Sequence, residues 1–305
     1  MQTIPYKIYS LLILCVLFWS ANFILGRFLH EEIEPIQLAF YRWLGVFVLF
    51  LPYLMIHFKT LYQKIKKDFL FLLLLSVLCV TGFNTILYFG LQHTQATNAL
   101  LINSVFPILV IFLASIILKD KITQNQIMGI VLSTLGVVFI VLKGDISKMM
   151  TMEFNKGDFY IILSSLDWAL YSVLLRYKKL SLNPTEFFAT TVTLGFIVLL
   201  GIYVFTTQSI TEDMNIVYKH YDIIAFIVIF PSILSFFFWN KGILEIGAEK
   251  TGQFTHLMPI FGTILAFVFL GENIMFYHFI GLMFIFSGIY LSQFLKKELF
   301  KKATR

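Results

Sequence analysis

Ten apolar stretches, each long enough to cross a hydrocarbon layer of about 30 Å, run through this 305-residue chain and leave it few possible folds. They lie roughly at 7–27, 36–56, 69–91, 97–118, 125–143, 159–178, 186–206, 222–242, 251–270 and 275–295. Lipid offers no partner to backbone amides, so spans of this length are helices. Hydrophobic residues make up 59% of the chain and charged residues 13%. A soluble domain carries about 25% charged residues, so most of these side chains face lipid or other buried helices. The expected fold class is all-α integral membrane, with short connections marked by Glu34–Pro35, Asn183–Pro184 and Lys143–Gly144–Asp145. The first apolar run reads as a retained span, since it continues through Trp19, Ser20, Ala21 and Asn22 without a small-x-small cleavage site.

The basic residues decide the orientation. One face receives 17 of them, including Lys59, Lys64, Lys66, Lys67, Arg176, Lys178 and the tail from Lys296 to Arg305. The other face receives 5, namely Arg27, Lys143, Lys148, Lys156 and Lys219, while Arg42 lies inside a span. Both termini are therefore expected in the cytoplasm, and a bacterial inner (plasma) membrane is the expected location. The net charge of +6 reflects this dispersed loop pattern and not a nucleic-acid patch.

The chain also repeats itself. Residues 90–136 align without a gap on 242–288 at an offset of 152, with ten of 47 positions identical. Gly90, Ala96, Pro107, Gly129 and Gly136 meet Gly242, Ala248, Pro259, Gly281 and Gly288, and Asp120 meets Glu272. Further upstream, Trp19, Arg27 and Pro35 match Trp168, Arg176 and Pro184 at an offset of 149. The division is a first repeat at 1–143, an inter-repeat loop at 144–158 and a second repeat at 159–305 ending in the basic cytoplasmic tail. Because each repeat holds five spans, an odd number, the second crosses in the opposite sense. The ten transmembrane helices then form two five-helix inverted-topology repeats, and exchange of shapes between such halves is a route to alternating access. A small-molecule carrier is the function expected from this arrangement.

Other classes fit less well. The six histidines show no metal-ligand spacing, and HExxH, P-loop and GxSxG motifs are absent, so no enzyme, metal or cofactor is expected. Cys15 and Cys79 sit inside apolar runs and read as packing residues. A facilitative, channel-like permease is the nearer alternative, although no span carries the charged ring of an ion filter.

The ordered residues resemble a known family. Half one carries Phe18–Trp19–Ser20–Ala21–Asn22–Phe23, Tyr41–Arg42–Trp43 and Tyr88–Phe89–Gly90–Leu91 before Pro107, Leu118–Lys119–Asp120, Gly129 and Gly136. Half two carries Gly157–Asp158, Asp167–Trp168–Ala169–Leu170–Tyr171 and Trp239–Asn240 before Pro259, Leu270–Gly271–Glu272, Gly281 and Gly288. This set is similar to the EamA group of the drug/metabolite transporter (DMT) superfamily, across about residues 8–295. The resemblance implies a ten-helix secondary carrier, often an exporter of amino acids or related metabolites, with a central cavity lined by spans 1, 3, 4, 6, 8 and 9. Lys119–Asp120 departs from the family's usual Gly–Glu, and Asp167 stands where a small or apolar residue is common.

The expected substrate pathway comprises Trp19, Asn22, Asn84, Tyr88, Asn103, Asp167, Trp168, Tyr171, Trp239, Thr255 and His256. Asp167 lies about 12 Å along its span, where an unpaired carboxylate costs at least a few kcal/mol. Its repeat mate is Phe18, so the duplication itself does not demand an acid. Asp167 and His256 are the candidate proton-coupling groups. Arg42 is expected to be structural, with Asp167 as its natural partner or Glu34 reached by snorkelling. Pro107 and Pro259 each remove a helical hydrogen bond, freeing the carbonyls of Asn103 and Thr255, and are the expected gating breaks. Gly129, Gly136, Gly281 and Gly288 lie seven apart on helix faces that allow close packing, within the chain or across a homodimer. The expected partners are the lipid bilayer and a small-molecule substrate.

Overall fold

The computed structural model describes residues 6–145, 147, 154–206, 210–270 and 275–294. Glu272, Lys148 and the basic tail lie outside them. Every regular element among these residues is helical. By length and composition, eight helical stretches among them can cross a membrane.

Helix α1 (Tyr6–Phe28) is followed by α2 (Pro35–Ser76), whose start is fixed by a reciprocal capping box between Glu34 and Gln37, with Pro35 at the first helical position. The same device opens α8 (Pro184–Thr206): Asn183 and Glu186 exchange backbone-to-side-chain bonds of 2.9 Å each. These are equivalent positions of the two halves.

Two connections that read as loops in the sequence are helical. The stretch 57–67 continues α2, because it contains no Gly or Pro and is built largely of good helix formers. Backbone geometry leaves the helix only at Asp68 (φ −121°, ψ 23°), whose carboxylate pairs with Lys178 at 2.5 Å. Within the connection after α8 lies α9 (Ile210–Lys219). Its Asp213 is buried and accepts from Gln37 at 2.7 Å and Tyr203 at 2.5 Å.

Both halves contain a π-helical segment at the same place. Val77–Gly82 leads into α3 (Phe83–His93), while α10 (Tyr221–Ile227) runs through Val228–Leu234 into α11 (Ser235–Ile246). Both halves are also interrupted beside the matched prolines. In the first, α4 (Ala96–Asn103) stops at Ser104 and α5 (Phe106–Ile117) begins with Pro107 as its second residue. In the second, α12 (Ala248–Gly252) passes through a 3₁₀ turn, Gln253–Leu257, into α13 (Met258–Leu270), which again carries proline, Pro259, as its second residue. Proline without an N–H is tolerated at the start of the new segment. The expected release of the Thr255 carbonyl does not occur, because the 3₁₀ turn brings the Met258 N–H onto it.

The remaining helices are α6 (Gln124–Val141), α7 (Lys156–Tyr177) and α14 (Phe276–Phe294). Helices α6 and α14 pack antiparallel through glycine: Gly129 lies against the Gly288 carbonyl and Gly136 against that of Gly281. A Cβ at any of the four would strike the facing backbone oxygen. These glycines are thus used within the chain, so this face is not open to a second copy.

Candidate functional site

The helix breaks and π segments converge on a cleft lined by Trp19, Asn22, Phe23, Phe83, Asn84, Asn103, Phe106, Trp168, Thr255 and Met258. Its open space is about that of one water molecule. Trp19 meets Trp168 edge-on with ring centroids 5.4 Å apart and tilts against Trp239 at 4.8 Å. Tyr171 stacks on Trp168 at 4.8 Å. Rings from α1, α7 and α11 therefore form one wall, which suits an apolar or aromatic group.

The polar groups around it are unequally satisfied. Trp19 Nε1 donates to the Pro231 carbonyl at 3.2 Å, a group presented by the second π segment. Trp239 Nε1 donates to Ser172 at 3.0 Å, and Tyr171 OH to Asn240 at 2.9 Å. Asn103 accepts from Ser165 at 3.0 Å and donates to the Met258 sulfur at 3.3 Å. Thr255 returns its hydroxyl to the Gly252 carbonyl at 2.8 Å. Trp168 Nε1 and Asn84 Oδ1, both buried and both on the cleft, have no partner among the described residues. A buried donor or acceptor left empty costs roughly 1–3 kcal/mol, so each is a place where a ligand atom or water gains a bond.

Of the residues expected on the pathway, Trp19, Asn22, Asn84, Asn103, Trp168 and Thr255 line the cleft itself. Trp239 and Tyr171 support it from behind through their rings. Tyr88 lies one bond away, its hydroxyl donating to Asn22 Oδ1 at 3.0 Å. Asp167 is turned aside: its carboxylate lies over Gly82, where a Cβ would come within 2.7 Å of Oδ1, and its Oδ2 has no partner among the described residues. His256 is wholly buried in the 3₁₀ turn, with Nδ1 2.6 Å from Ser133 Oγ and Nε2 3.0 Å from the Ser104 carbonyl. A carbonyl can only accept, so Nε2 carries the proton and Nδ1 faces the hydroxyl. His256 thus bridges to its own repeat mate, 152 residues away.

Arg42 finds partners other than those expected. Its Nε donates to Ser232 Oγ at 2.7 Å, Nη1 to Asn22 Oδ1 at 3.2 Å and Tyr88 OH at 3.0 Å, and Nη2 to the Pro231 carbonyl at 3.2 Å. Asp167 lies beyond ion-pair distance because it faces the first π segment, whereas Arg42 faces the second. Ser232, Pro231 and the cleft residues Phe23, Phe83, Phe106 and Met258 escape a reading of the sequence. Phe is too abundant there, at 35 copies, to single out three, and the role of Pro231 depends on a π turn that carries no fixed motif.

Charged pairs gather outside the cleft. Lys64 meets Glu186 at 2.6 Å, and Arg176 joins Asp120 at 2.9 Å and Glu249 at 3.1 Å. Elsewhere, Lys219 and His220 meet Glu32 at 2.6 and 2.8 Å. Arg27 donates to the Leu91 and Gln92 carbonyls at 2.7 and 3.2 Å, closing the C-terminal turn of α3.

A bundle of apolar helices interrupted around a buried polar and aromatic cleft defines a multi-pass integral membrane protein of the transporter class. The EamA-like transporter family model matches residues 6–142 and again 155–294, and the chain belongs to this family. Its similar proteins include the uncharacterized transporter YyaM of Bacillus subtilis (strain 168), 30% identical over 283 residues, covering 93% of this chain and 92% of the relative. An uncharacterized transporter of Archaeoglobus fulgidus is 27% identical, covering 94% of this chain and 97% of the relative. A crystal structure of a protein 13% identical in sequence superposes with a TM-score of 0.72, over 95% of this chain and 97% of that one, and shares the fold.

Proposed function

We propose that this protein is a secondary carrier that exports a small metabolite, such as an amino acid or related compound, by alternating access between two inverted five-span repeats. The observation that carries the reading is the pseudo-twofold arrangement around the cleft. Under the offset of 152, the pair Gly129–Gly288 becomes Gly281–Gly136, and both contacts occur. In the same way Gly90 lies against Ile161 and Gly242 against Leu12, whose positions correspond at the offset of 149. Two antiparallel helices that exchange places through such a pair have their axis across their own length. For membrane helices that axis lies in the plane of the bilayer, as inverted repeats require.

Helix lengths support ten crossings. The continuous stretch Pro35–His93 has 59 residues, about 88 Å as a straight helix and nearly three times the hydrocarbon thickness. The break at Asp68 supports two crossings in this stretch. The composite segment 248–270, interrupted at its 3₁₀ turn, supplies the tenth crossing. A broken helix is tolerable there because its backbone faces protein.

The cleft is too small for a metabolite as it stands, so loading requires the halves to separate, which supports a carrier over an open pore. Without a nucleotide motif, uphill export draws on a gradient, and Asp167 is the better coupling residue. Its Oδ2 has no hydrogen-bond partner among the described residues, whereas both nitrogens of His256 are engaged. The bilayer is then a bacterial plasma membrane, with both termini cytoplasmic as the basic loops require. Counterflow in proteoliposomes loaded with an amino-acid and metabolite panel, with and without a pH gradient, tests the assignment. Saturable exchange is the expected result, and non-saturating conductance in its place would establish a pore.

A further inference from the structure

Among the described residues Arg42 is the one Lys or Arg that is buried, 3% exposed, and its hydrogen bonds go to two side-chain hydroxyls, an amide oxygen and a backbone carbonyl. None of these carries a negative charge. The buried carboxylates are held elsewhere: Asp68 by Lys178, Glu186 by Lys64, Asp158 by Thr94 and Asp213 by Gln37 and Tyr203. A guanidinium cannot shed its proton to escape the cost of burial, so a cation at this depth without a counter-ion is a functional feature by default. Neutral partners of this kind would be served equally well by an uncharged donor.

The charge also lies next to the cleft. Asn22 lines the cleft, and its Oδ1 accepts from both Arg42 Nη1 and Tyr88 OH. That oxygen occupies the position a carboxylate oxygen would take between two converging donors. The four bonds use four of the five N–H groups of Arg42, leaving one for a second oxygen. Across the cleft, Trp168 Nε1 is an unused donor among the described residues, and Trp19 and Trp168, backed by Trp239, provide an apolar seat. One fixed cation matches a single negative charge. A phosphate dianion would leave a charge uncompensated in a wall otherwise made of rings and amides.

Resting on the carrier reading above, we propose that Arg42 anchors the carboxylate group of the transported solute, displacing Asn22 from its donors, while Trp19 and Trp168 receive an apolar or aromatic body. The solute class is a small monocarboxylate, and an organic cation is excluded from this orientation by the guanidinium.

The test measures thermal unfolding of the full chain in detergent against matched probes: 3-phenylpropionate with 3-phenylpropionamide, 4-methylvalerate with 4-methylvaleramide, and 2-phenylethylamine. The carboxylates should raise Tm and bind about 10- to 100-fold more tightly than their amides, with the phenyl member ahead of the aliphatic one and the amine inert. Arg42→Gln should abolish the carboxylate preference, and Arg42→Lys should retain part of it. If neither variant folds, the wild-type comparison of acid with amide decides alone. Equal binding of acids and amides, tighter binding of the amine, or no response to any acid would overturn the anchor. Flux of the same probes in liposomes separates this from the carrier reading. Acid-selective binding without flux refutes transport and leaves the anchor standing, while flux indifferent to removal of the carboxylate refutes the anchor and leaves transport standing.

Discussion

At the scale of single residues, two acidic groups have contrasting surroundings. Asp167 has an oxygen without a partner and a glycine against its carboxylate, so its environment is set by the close approach of the π segment and not by a counter-ion. Asp167→Asn should leave folding and expression intact while removing the pH dependence of flux in liposomes. Gly82→Ala keeps the acid but places a methyl within 2.7 Å of its oxygen, so it should move the pH profile without flattening it. Unchanged profiles in both variants would take Asp167 out of the coupling step. Glu32 lies outside the spans, where the hydrogen bond from Lys219, followed by that from His220, holds its carboxyl below the ordinary value of 4.5. A lowered pKa in the folded state means that the pair stabilises the fold above about pH 4.5, and that this contribution disappears as pH falls through the depressed value. Glu32 and Lys219 are solvent-facing, so the effect is small and screened by salt. The Tm difference between wild type and Glu32→Gln should be positive at pH 7, shrink below pH 4.5 and decline in high salt.

At the scale of elements, backbone contact and not side-chain bulk joins the halves at α6 and α14. Gly288→Leu would drive carbon into the Gly129 carbonyl and the Ser133 backbone, and should cost about 1–3 kcal/mol through overpacking. Gly201 in α8 has nothing within 4 Å of its virtual Cβ, so Gly201→Ala should be neutral or stabilising by about 0.5–1 kcal/mol. Melting curves of the two variants separate packing from propensity. These glycines were readable in advance because a seven-residue spacing repeated in both halves has a geometric meaning. The prolines were readable for the same reason, since a missing N–H limits where a helix can continue. The π segments were not, since their wider hydrogen-bond pattern has no fixed residue requirement and one of the two lacks proline. The helical stretch 57–67 is not legible in the sequence because lysines mark the edge of the membrane without ending a helix. The partners of Arg42 are also hidden: both π segments pack against α2, the second one brings Pro231 and Ser232 to the guanidinium, and nothing local in the sequence records that contact.

At the scale of the whole molecule, the inverted reading makes a demand that neither repeat alone would make. Residues at matched positions of parallel repeats emerge on the same side of the membrane, whereas mates in inverted repeats emerge on opposite sides. Phe28 and Tyr177 are such mates at the offset of 149, each at the C-terminal end of its helix and each largely exposed, at 63% and 60%. The native Cys15 and Cys79 are fully buried and present little background to a thiol reagent. With a membrane-impermeant maleimide applied to intact cells, Phe28→Cys should label and Tyr177→Cys should not. After permeabilisation both should label to the same extent. Neither substitution touches the cleft, so each variant should transport normally, and the labelling then reports the orientation of a working protein. Labelling of both positions from outside would establish parallel repeats. The axis inferred from Gly129 and Gly288 would then be a packing coincidence, and the exchange of shapes between the halves would lose its structural basis.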